Sequence, residues 1–499
     1  LTTVTARDLY PWIVNTLEPS TAFTTQVKKT VGQICEFLKT NCFEDDIHVL
    51  KTVKGGSAGK GTALKNKSDA DVVLFVSCLS SYQVQKQNRK RILDLIKIRL
   101  KACRESLAFD VWIGEPNYKG PGSTPRSVSL TLLSKETGES IDMDILPAYD
   151  ALGQVIEDAR PNPEVYVNLL RACRDPGEFS PCFTELQKKF VKRYPARLKN
   201  LLRLVKYWYK ERLNPQYPSA ALPPKYALEL LTIYAWEEGT GSADSFDMAQ
   251  GFRTVLELLR QPQQIIIYWE KYYSLQHPEI GAHVKQLLRS PRPVILDPAD
   301  PTGILGRSKD WGLMARAAAT DCCSLLCLKN AQSWNVQPAR LVTIEVKQLS
   351  GTSLMKRVSP FTTIEQLKEM IWQDWGIPPC RQRLAHQEPG RSNISLQDSD
   401  TLATHGIFYN TMLLLLQTEE MKVFVKDDKN QTTAYMVLPT DTVRQLKEKI
   451  QAQQGPPARE QRLTYNSKEL EDRHTLAHYD IRPMSIIYML LRLRGGVGP

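Results

Sequence analysis

The 499-residue sequence predicts an α+β protein built from several domains. Residues 1–157 alternate between helix-like and strand-like patterns, which is typical of a mixed sheet covered by helices. Residues 158–339 carry apolar side chains mostly at helical spacing and predict a helical lobe. Residues 340–418 and 420–499 resemble each other, which predicts two copies of one small domain that follow the helical lobe.

The first lobe takes its elements from apolar periodicity. Apolar residues at helical spacing predict two helices, and runs of β-branched and apolar residues predict strands. The predicted elements are, in order, a helix at 24–38, strands at 48–53 and 71–77, a helix at 89–107, and strands at 127–133 and 140–146. These elements form a small mixed sheet with helices beside it.

The second lobe shows apolar residues three and four positions apart, interrupted by proline-rich segments. The predicted helices span 183–194, 197–213, 226–238 and 249–259. A lobe of this composition buries its core between helices.

The last third is a tandem repeat. Thr363–Ile371 matches Thr442–Ile450, and Gln382–Leu384 matches Gln461–Leu463 at the same offset. Each unit begins with alternating strand residues and continues with a turn, a helix and short strands. About 75 residues can bury a modest core of their own. Two such units are better suited to binding other molecules than to building an active site.

Composition limits the class of protein. The formal net charge is +11, which permits binding to a polyanion without proving it. The sequence contains no run of about 18 uninterrupted apolar residues, so no membrane span is predicted. The ten cysteines are scattered, without the spacing of a zinc site or a secreted disulfide framework. A cytoplasmic protein with reduced thiols is therefore expected, and some nuclear localisation is compatible with it.

The most informative feature is the pair Asp69 and Asp71, which follows a glycine-rich turn and leads into an apolar strand. Side chains two positions apart on a strand share one face, so the two carboxylates stand side by side. Such hard oxygen ligands suit Mg²⁺. Asp144, on a second apolar strand, is placed to complete a metal site for attack on a phosphate. An Asp-x-Asp pair alone is more often a solvated turn or cap.

The glycine-rich turn itself does not fit a Walker phosphate loop. Lys60 is followed by Gly61 instead of Ser or Thr, and Lys54 stands where the first glycine belongs. The turn at Gly56 and Ser57 is instead predicted to bring backbone amides and the serine hydroxyl close to a triphosphate.

These segments resemble known families. Residues 1–339 resemble the 2′-5′-oligoadenylate synthetases through Val53–Ser57, Ser68–Asp71, Asp144–Gly153, Tyr226–Trp236 and Ile295–Thr302. Residues 341–418 resemble a divergent ubiquitin-like domain, and Met421–Gly496 resembles ubiquitin over its full length. The architecture is similar to that of the oligoadenylate synthetase-like proteins. The implied folds are a nucleotidyltransferase sheet, a helical lobe and two β-grasp domains.

The resemblance implies an enzyme that double-stranded RNA activates and that joins ATP into 2′-5′-linked oligoadenylates, releasing pyrophosphate, in antiviral innate immunity. Some synthetase-like members lack the acidic triad, whereas this chain keeps Asp69, Asp71 and Asp144. The implied nucleotide contacts are Gly56, Ser57, Arg203, Lys206, Lys225 and Tyr226. For Arg203 and Lys206 an ordinary solvated helix face is the alternative, and for Tyr226 it is packing at the start of a helix. Lys225 replaces a glutamine that we associate with the synthetases, which leaves the nucleotide preference and the product length open.

The resemblance also implies an RNA-binding face opposite the active site. Double-stranded RNA is recognised by shape through its phosphates and 2′-hydroxyls, which requires a row of cations. The residues implied are Lys39, Lys54, Lys60, Lys188, Lys192 and Arg197. A run of cations is otherwise usually a solvated surface. RNA would activate the enzyme by favouring the conformation in which Asp144 meets the other two carboxylates.

The ubiquitin-like tail is predicted to bind protein partners. The apolar receptor patch of ubiquitin falls here on Asp428, Thr464 and Leu490, so ordinary ubiquitin receptors should bind weakly. Conjugation through Gly495-Gly496 is the lesser possibility. Because the tail is unnecessary for chemistry, a second hypothesis stands beside the enzyme: a catalytically weak antiviral scaffold that binds double-stranded RNA and recruits partners through its tail.

Overall fold

The protein was examined in a computed structural model that describes residues 1–44, 46–65, 67–103, 109–113, 126–134, 140–388 and 392–492. The chain divides into a unit of residues 1–340 and a unit of residues 341–499. The glycine pair Gly495-Gly496 lies outside the described residues, as does the end of the helix predicted at 89–107.

The first lobe is a five-stranded mixed sheet with helices. Its elements are α1 (Leu9–Thr16), α2 (Thr21–Thr40), β1 (Val49–Gly55), α3 (Gly56–Lys60), β2 (Lys67–Val76), α4 (Tyr82–Cys103), β3 (Phe109–Ile113), β4 (Val128–Ser134) and β5 (Ser140–Ala148). The strand order is β1-β2-β5-β4-β3. Strands β2 and β5 are parallel, and the other neighbouring pairs are antiparallel.

The core of this lobe lies where α2 and α4 cover the sheet. Val27, Ile34 and Leu38 on α2 are buried together with Ile92 and Ile96 on α4, against apolar residues of β2, β4 and β5. The amphipathic spacing of both helices explains why one face is buried. Ser20 caps α2 by accepting a hydrogen bond from the Phe23 amide.

The second lobe is mainly helical. Its longer elements are α5 (Pro163–Ala172), α6 (Thr184–Lys192), α7 (Ala196–Tyr207), α8 (Lys225–Thr240), α9 (Met248–Leu259), α10 (Pro278–Leu288) and α11 (Trp311–Ser324). A two-stranded parallel sheet joins β6 (Ile266–Ile267) to β7 (Val294–Ile295). Helix α7 continues into a π-helical segment at Trp208–Leu213. Such segments frequently occur at functional sites.

The third domain is a five-stranded sheet around one helix. Its elements are β8 (Val342–Gln348), β9 (Ser353–Val358), α12 (Ile364–Trp375), β10 (Gln382–His386), β11 (Ile394–Ser395) and β12 (Thr411–Gln417), in strand order β11-β10-β12-β8-β9. Thr363 and Gln366 form a capping box at the start of α12.

The fourth domain repeats this fold. Its elements are β13 (Met421–Lys426), β14 (Thr432–Val437), α13 (Val443–Ala452), β15 (Gln461–Tyr465), β16 (Lys468–Glu469) and β17 (Ile486–Leu491), in strand order β14-β13-β17-β15-β16. Thr442 and Gln445 form the equivalent capping box. Each of the two domains has its own apolar core. The predicted α+β class, with a helical second lobe and two β-grasp domains, is confirmed.

Among the described helices, none combines the length and the apolar character needed to cross a lipid bilayer.

Candidate active site

The three predicted aspartates lie on the two parallel strands at the centre of the first sheet. Asp69 and Asp71 are both within β2, which begins earlier than the sequence predicted, and Asp144 is on β5. In the register of these strands Asp71 is opposite Asp144, and Asp69 is opposite Asp142. The alternation of side chains along a strand therefore brings the three predicted carboxylates to one face of the sheet.

The glycine-rich segment forms one helical turn, α3, whose start is held against Asp69. The Ser57 hydroxyl donates to the Asp69 carboxylate, and the Ser57 amide donates to Oδ2 of the same carboxylate over 3.3 Å. Gly56 has φ +69°, and a Cβ at this position would lie 3.0 Å from the Asp69 carbonyl oxygen and 3.1 Å from the Asp71 amide nitrogen. A residue without a side chain is required for this close approach.

The electrostatics of the three carboxylates differ. Burial and the neighbouring charges of Asp69 and Asp144 raise the pKa of Asp71 to about 7. Burial alone would raise the pKa of Asp69, but the hydrogen bond from Ser57 and nearby lysines bring it below its usual value. Burial also raises the pKa of Asp144, although a hydrogen bond donated by Ser129 opposes the rise. Like charges crowded at one place favour the binding of a cation.

A cavity of about 440 Å³ opens beside Asp69 and Asp71; we call it the acidic cavity. Its far side carries a buried charge cluster in which Glu229 of α8 accepts from two lysines. The Lys206 ammonium lies 2.9 Å from Glu229 Oε1, and the Lys60 ammonium lies 3.2 Å from Glu229 Oε2. Lys206 also donates to the Thr62 hydroxyl over 3.0 Å. Two cations therefore line the cavity opposite the aspartates.

Lys60 was predicted to belong to the RNA-binding face opposite the active site. The Lys60 ammonium group is paired with Glu229 and lies 4.5 Å from the centre of the Tyr226 ring. The residue lines both the acidic cavity and the second cavity described below, so its contact with RNA stays a prediction. The Tyr226 hydroxyl donates to Asp297 over 2.9 Å. Lys225, next to it at the start of α8, also lines the cavity.

Sequence reasoning missed two groups at this site. Burial and the positive charge of Lys225 lower the pKa of Lys210 to about 8, whereas the negative charge of Asp69 opposes this shift. Lys210 lies in the π-helical segment, four residues after Lys206, a spacing that brings side chains to one helix face. Glu229 follows Lys225 by four residues in the same way. These two four-residue spacings are the sequence signals from which Lys210 and Glu229 could have been found.

The donor set fits a divalent cation. Asp69 and Asp71 share a strand face, and the raised pKa of Asp71 records the repulsion that a bound cation would relieve. Among the described residues, however, no group of three or more histidine, cysteine or acidic side chains is close enough to hold a metal. Asp144 is instead engaged by the Ser129 hydroxyl over 2.7 Å.

Arg203 lies on the other side of α3. Its guanidinium donates to the backbone carbonyls of Gly61 over 2.7 Å and Ala63 over 2.9 Å, which fixes the segment after α3. It lines a second cavity of about 370 Å³ with an apolar floor that includes Phe23 and Val27. We call this second site the basic cavity, because its rim carries Lys28, Lys54, Lys188, Lys192, Lys199 and Arg203.

Four of the residues predicted to bind RNA thus line the basic cavity, namely Lys54, Lys60, Lys188 and Lys192. Burial and the positive charges of Lys192 and Lys54 lower the pKa of Lys188, so cations are crowded here as well. Lys39 is exposed in the last turn of α2. Arg197 differs from the others, since its guanidinium lies 4.3 Å from the Tyr10 ring centre and its Nε donates to the Phe246 carbonyl.

Four segments of the chain match models of known protein families. Residues 34–112 match the nucleotidyltransferase domain model, and residues 159–342 match the model described as 2′-5′-oligoadenylate synthetase 1, domain 2, C-terminus. Residues 341–407 match a ubiquitin-like domain model, and residues 423–494 match the ubiquitin family model.

Whole-chain relatives decide the family. The chain is 41% identical to mouse 2′-5′-oligoadenylate synthase-like protein 2 over 490 residues, which is 96% of each chain. It is 38% identical to rat 2′-5′-oligoadenylate synthase-like protein 1, covering 99% of this chain and 97% of the relative. The chain belongs to the 2′-5′-oligoadenylate synthase-like family. It is also 48% identical to mouse 2′-5′-oligoadenylate synthase 3 over 325 residues, which is 65% of this chain and 28% of that relative.

The site residues are divided between the two lobes that the family models match. The acidic triad and the glycine-rich segment lie in the lobe that contains the nucleotidyltransferase match, whereas Lys206, Lys225 and Glu229 lie in the lobe with the synthetase match. The acidic cavity is therefore formed between the two lobes.

Proposed function

We propose that this chain is a nucleotidyltransferase that double-stranded RNA activates to polymerise ATP into 2′-5′-linked oligoadenylates. The observation that carries the proposal is the register of β2 and β5, which brings Asp69, Asp71 and Asp144 to one sheet face beside a cavity lined with lysines. Carboxylates facing cations across a cavity suit a triphosphate, whose charge needs neutralisation as pyrophosphate leaves. We further propose that the protein acts in the cytoplasm in antiviral defence.

Each side chain has a role in this proposal. Asp69 and Asp71 hold the divalent cation, proposed to be Mg²⁺, which supplies charge neutralisation for the triphosphate when bound. Gly56 and Ser57 lie beside the phosphates. Lys206, Lys210 and Lys225 bind phosphate oxygens, and Tyr226 positions the start of α8 through Asp297. Asp144 orients the acceptor 2′-hydroxyl and accepts its proton.

The structure has the features of a resting state under this proposal. Asp144 is bound to Ser129, and the described acidic side chains do not assemble into a metal site. Activation requires Asp144 to leave Ser129 and approach Asp71, its neighbour in the register. Double-stranded RNA would favour this change by binding at the basic cavity, because α3 lies between that cavity and the acidic one and lines both.

A second candidate function keeps the same RNA surface without chemistry. The relatives that match along the whole chain are synthase-like proteins, and the unassembled triad is compatible with a binding protein. In that case the chain would bind double-stranded RNA and recruit partners through its ubiquitin-like domains.

One assay separates the two functions. Purified protein is incubated with ATP, Mg²⁺ and poly(I:C), and the products are resolved by anion-exchange chromatography with and without a 2′-5′-specific phosphodiesterase. We expect RNA-dependent oligomers with 2′-5′ linkages. RNA binding is measured in parallel by electrophoretic mobility shift, and binding without product would reject the enzyme in favour of the scaffold.

Substitution of Gly56 tests the role of α3. We expect Gly56→Ala to lower activity by at least about tenfold, because the new Cβ would displace Asp69 and Asp71. A displacement that costs about 1–2 kcal/mol of transition-state stabilisation corresponds to a rate loss of this size. Gly153→Ala is the matched control: Gly153 has φ +63°, but a Cβ there meets nothing within 4 Å. Gly56→Ala should lose at least as much stability as Gly153→Ala, so activity is compared at a temperature at which thermal unfolding shows both variants to be folded. Equal activity in the two would contradict the proposed role.

A further inference from the structure

The basic cavity combines an apolar floor with a charged rim. Its floor includes Phe23, Val27 and Val31, which are spaced four residues apart on α2 and therefore share one face of that helix. Ala58 of α3 and Ala70 of β2 add to the apolar lining. The three α2 residues belong to the core of the first lobe, and the cavity beside them measures about 370 Å³. It has room for the apolar part of a small ligand.

Four of the cations at the rim of the basic cavity are crowded together. Lys28 is on α2, Lys54 is on β1, and Lys188 and Lys192 are about one turn apart on α6. Burial and the positive charges of the other three lysines lower the pKa of Lys188, whereas the charge of Glu185 opposes this shift. We call these four residues the lysine quartet. Its members come from both lobes, so the tertiary structure produces the crowding.

The lysine quartet has little counter-charge from the protein. Among the residues that the structure describes, no carboxylate lies within ion-pair distance of any of its four members. Glu185, whose charge acts on Lys188, is shared with two other lysines: it lies 3.7 Å from Lys51 and 3.9 Å from Lys189. Crowded cations without a neighbouring carboxylate favour the binding of an anion.

The volume and the charge of the cavity restrict the ligand. An engineered cavity of about 150 Å³ holds one benzene molecule, so a cavity of this size admits roughly a dozen carbon atoms. Four lysines suit a head group with more than one negative charge. A phosphate monoester carries about −1.5 to −2 at neutral pH and presents three acceptor oxygens. A phosphate attached to a short apolar chain therefore matches both the rim and the floor.

Double-stranded RNA matches the rim alone. A duplex presents phosphates and 2′-hydroxyls on its outside, and these suit the lysines. Its bases are stacked inside the helix, so it has no apolar group to place against Phe23, Val27 and Val31. The floor of the basic cavity consequently favours a ligand of a different class from the polyanion that the rim favours.

We propose that the basic cavity is a binding site for a small, monomeric phosphorylated amphiphile. Its phosphate lies against the lysine quartet, and its apolar chain of about ten carbons covers Phe23, Val27 and Val31. Because α3 lines both cavities, this ligand also contacts the segment that holds Asp69. The binding requires neither RNA nor nucleotidyl transfer, and only its competition with RNA rests on the proposed function.

The test is isothermal titration calorimetry of the full-length chain with ligands below their critical micelle concentrations. Butyl, hexyl, octyl and decyl phosphate vary the chain, whereas decanol, decanoate and decyl phosphate vary the head group. We expect one site per protein chain and an affinity that rises about threefold to fourfold with each added methylene. Decyl phosphate should bind at least about tenfold more tightly than decanol, and this difference should shrink as salt increases.

Substitutions of the lining separate the floor from the rim. Val27→Trp fills the floor without changing a charge, and Thr24→Trp does so from a more exposed position in the lining. Both should weaken decyl phosphate by at least about tenfold, because several methylenes lose their contacts. Val14→Trp is the matched control, since Val14 is 37% exposed on α1 and lines neither cavity. Thermal unfolding shows that the variants compared are folded.

Two neighbouring lysines on α6 test the phosphate contact. Lys188→Gln should weaken decyl phosphate by about tenfold, as expected for the loss of a charged hydrogen-bond donor, and should leave decanol unaffected. Lys189→Gln is the matched control, because Lys189 lies beside Glu185 and does not line the basic cavity. It should change the affinity for decyl phosphate by less than about twofold.

A mobility-shift titration with poly(I:C) distinguishes this site from the proposed function. Under that function Lys54, Lys188 and Lys192 also bind RNA, so saturating decyl phosphate should weaken RNA binding, whereas Val27→Trp alone should not. A chain that binds decyl phosphate but not RNA would keep this site and reject the RNA-activated function. RNA binding without binding of decyl phosphate would reject the site alone.

Three further outcomes would overturn the proposal. The first is an affinity that does not depend on chain length, or several weak sites per protein chain, which would indicate adventitious adsorption. The second is an equal effect of Val27→Trp, Thr24→Trp and Val14→Trp, or of Lys188→Gln and Lys189→Gln. The third is retention of the chain by phosphatidic acid vesicles that Val27→Trp does not reduce, which would assign the lysine quartet to a membrane surface.

Discussion

Replacing Asp144 with alanine is expected to abolish RNA-dependent synthesis of oligoadenylates while leaving RNA affinity nearly unchanged. The carboxylate is opposite Asp71 in the register of β5 and β2, and in the proposed mechanism it accepts the proton of the attacking hydroxyl. Loss of a charge worth several kcal/mol in the transition state corresponds to a rate decrease on the order of 10³-fold. Product is measured by chromatography, and RNA affinity by mobility shift with poly(I:C).

Asp142 provides the matched control. It lies two residues earlier on the same strand, is exposed, and accepts a hydrogen bond from the Thr131 hydroxyl over 3.3 Å. Asp142→Asn removes one negative charge from the same strand face without removing a member of the triad, so at least about a third of the activity should remain, a change below about 1 kcal/mol. If the two variants lost activity equally, the general charge of β5 would be responsible instead of the triad.

Replacing Glu229 with glutamine is expected to cause the largest loss of stability. The change leaves Lys60 and Lys206 buried without their shared counter-charge, and breaking a buried ion pair in this way costs about 3–5 kcal/mol. Activity should fall too, because both lysines line the acidic cavity. Thermal unfolding is followed by tryptophan fluorescence, since seven of the nine tryptophans lie within residues 1–340.

The pH dependence has a definite sign. Burial would raise the pKa of Glu229, but Lys206 and Lys60 bring it below its usual value of 4.5. Its contribution to stability is therefore complete above that value and is lost as the pH falls through the lower pKa of the folded state. The stability difference between the wild type and Glu229→Gln should shrink at acidic pH.

Glu279 is the control for an exposed ion pair. It lies 3.2 Å from Arg171, and both side chains are more than half exposed. Glu279→Gln should change the free energy of unfolding by less than about 1 kcal/mol. Equal melting temperatures for the Glu229 and Glu279 variants would show that the buried cluster does not stabilise the fold.

Particular residues show how far sequence reasoning reached. Asp69 and Asp71 could be placed on one strand face because strand periodicity is local. The register of β2 and β5, which brings Asp144 to the same face, joins residues far apart in the chain. The ion pair of Lys60 could not be predicted, because Glu229 is 169 residues away in the chain and the family resemblance assigns Lys60, like Lys54, to the RNA-binding face. The single turn of α3 directs the Lys60 ammonium group towards Glu229.

The same limit applies to the helical lobe. Lys210 and Glu229 follow other site residues by four positions, so the sequence predicts the helix faces on which they lie. It does not predict that those faces lie at the acidic cavity. Local sequence patterns likewise contain no signal for the contact between Tyr226 and Asp297, which are 71 residues apart.

The sequence by itself determined the order of the domains, the positions of the three carboxylates on their strands and the repeat of the β-grasp fold, because periodicity and repetition are properties of neighbouring residues. Only the tertiary structure decided which cations line the same cavity as the carboxylates and that Asp144 is held by Ser129. These relations join residues far apart in the chain, and their pairing depends on strand register and on how the two lobes pack.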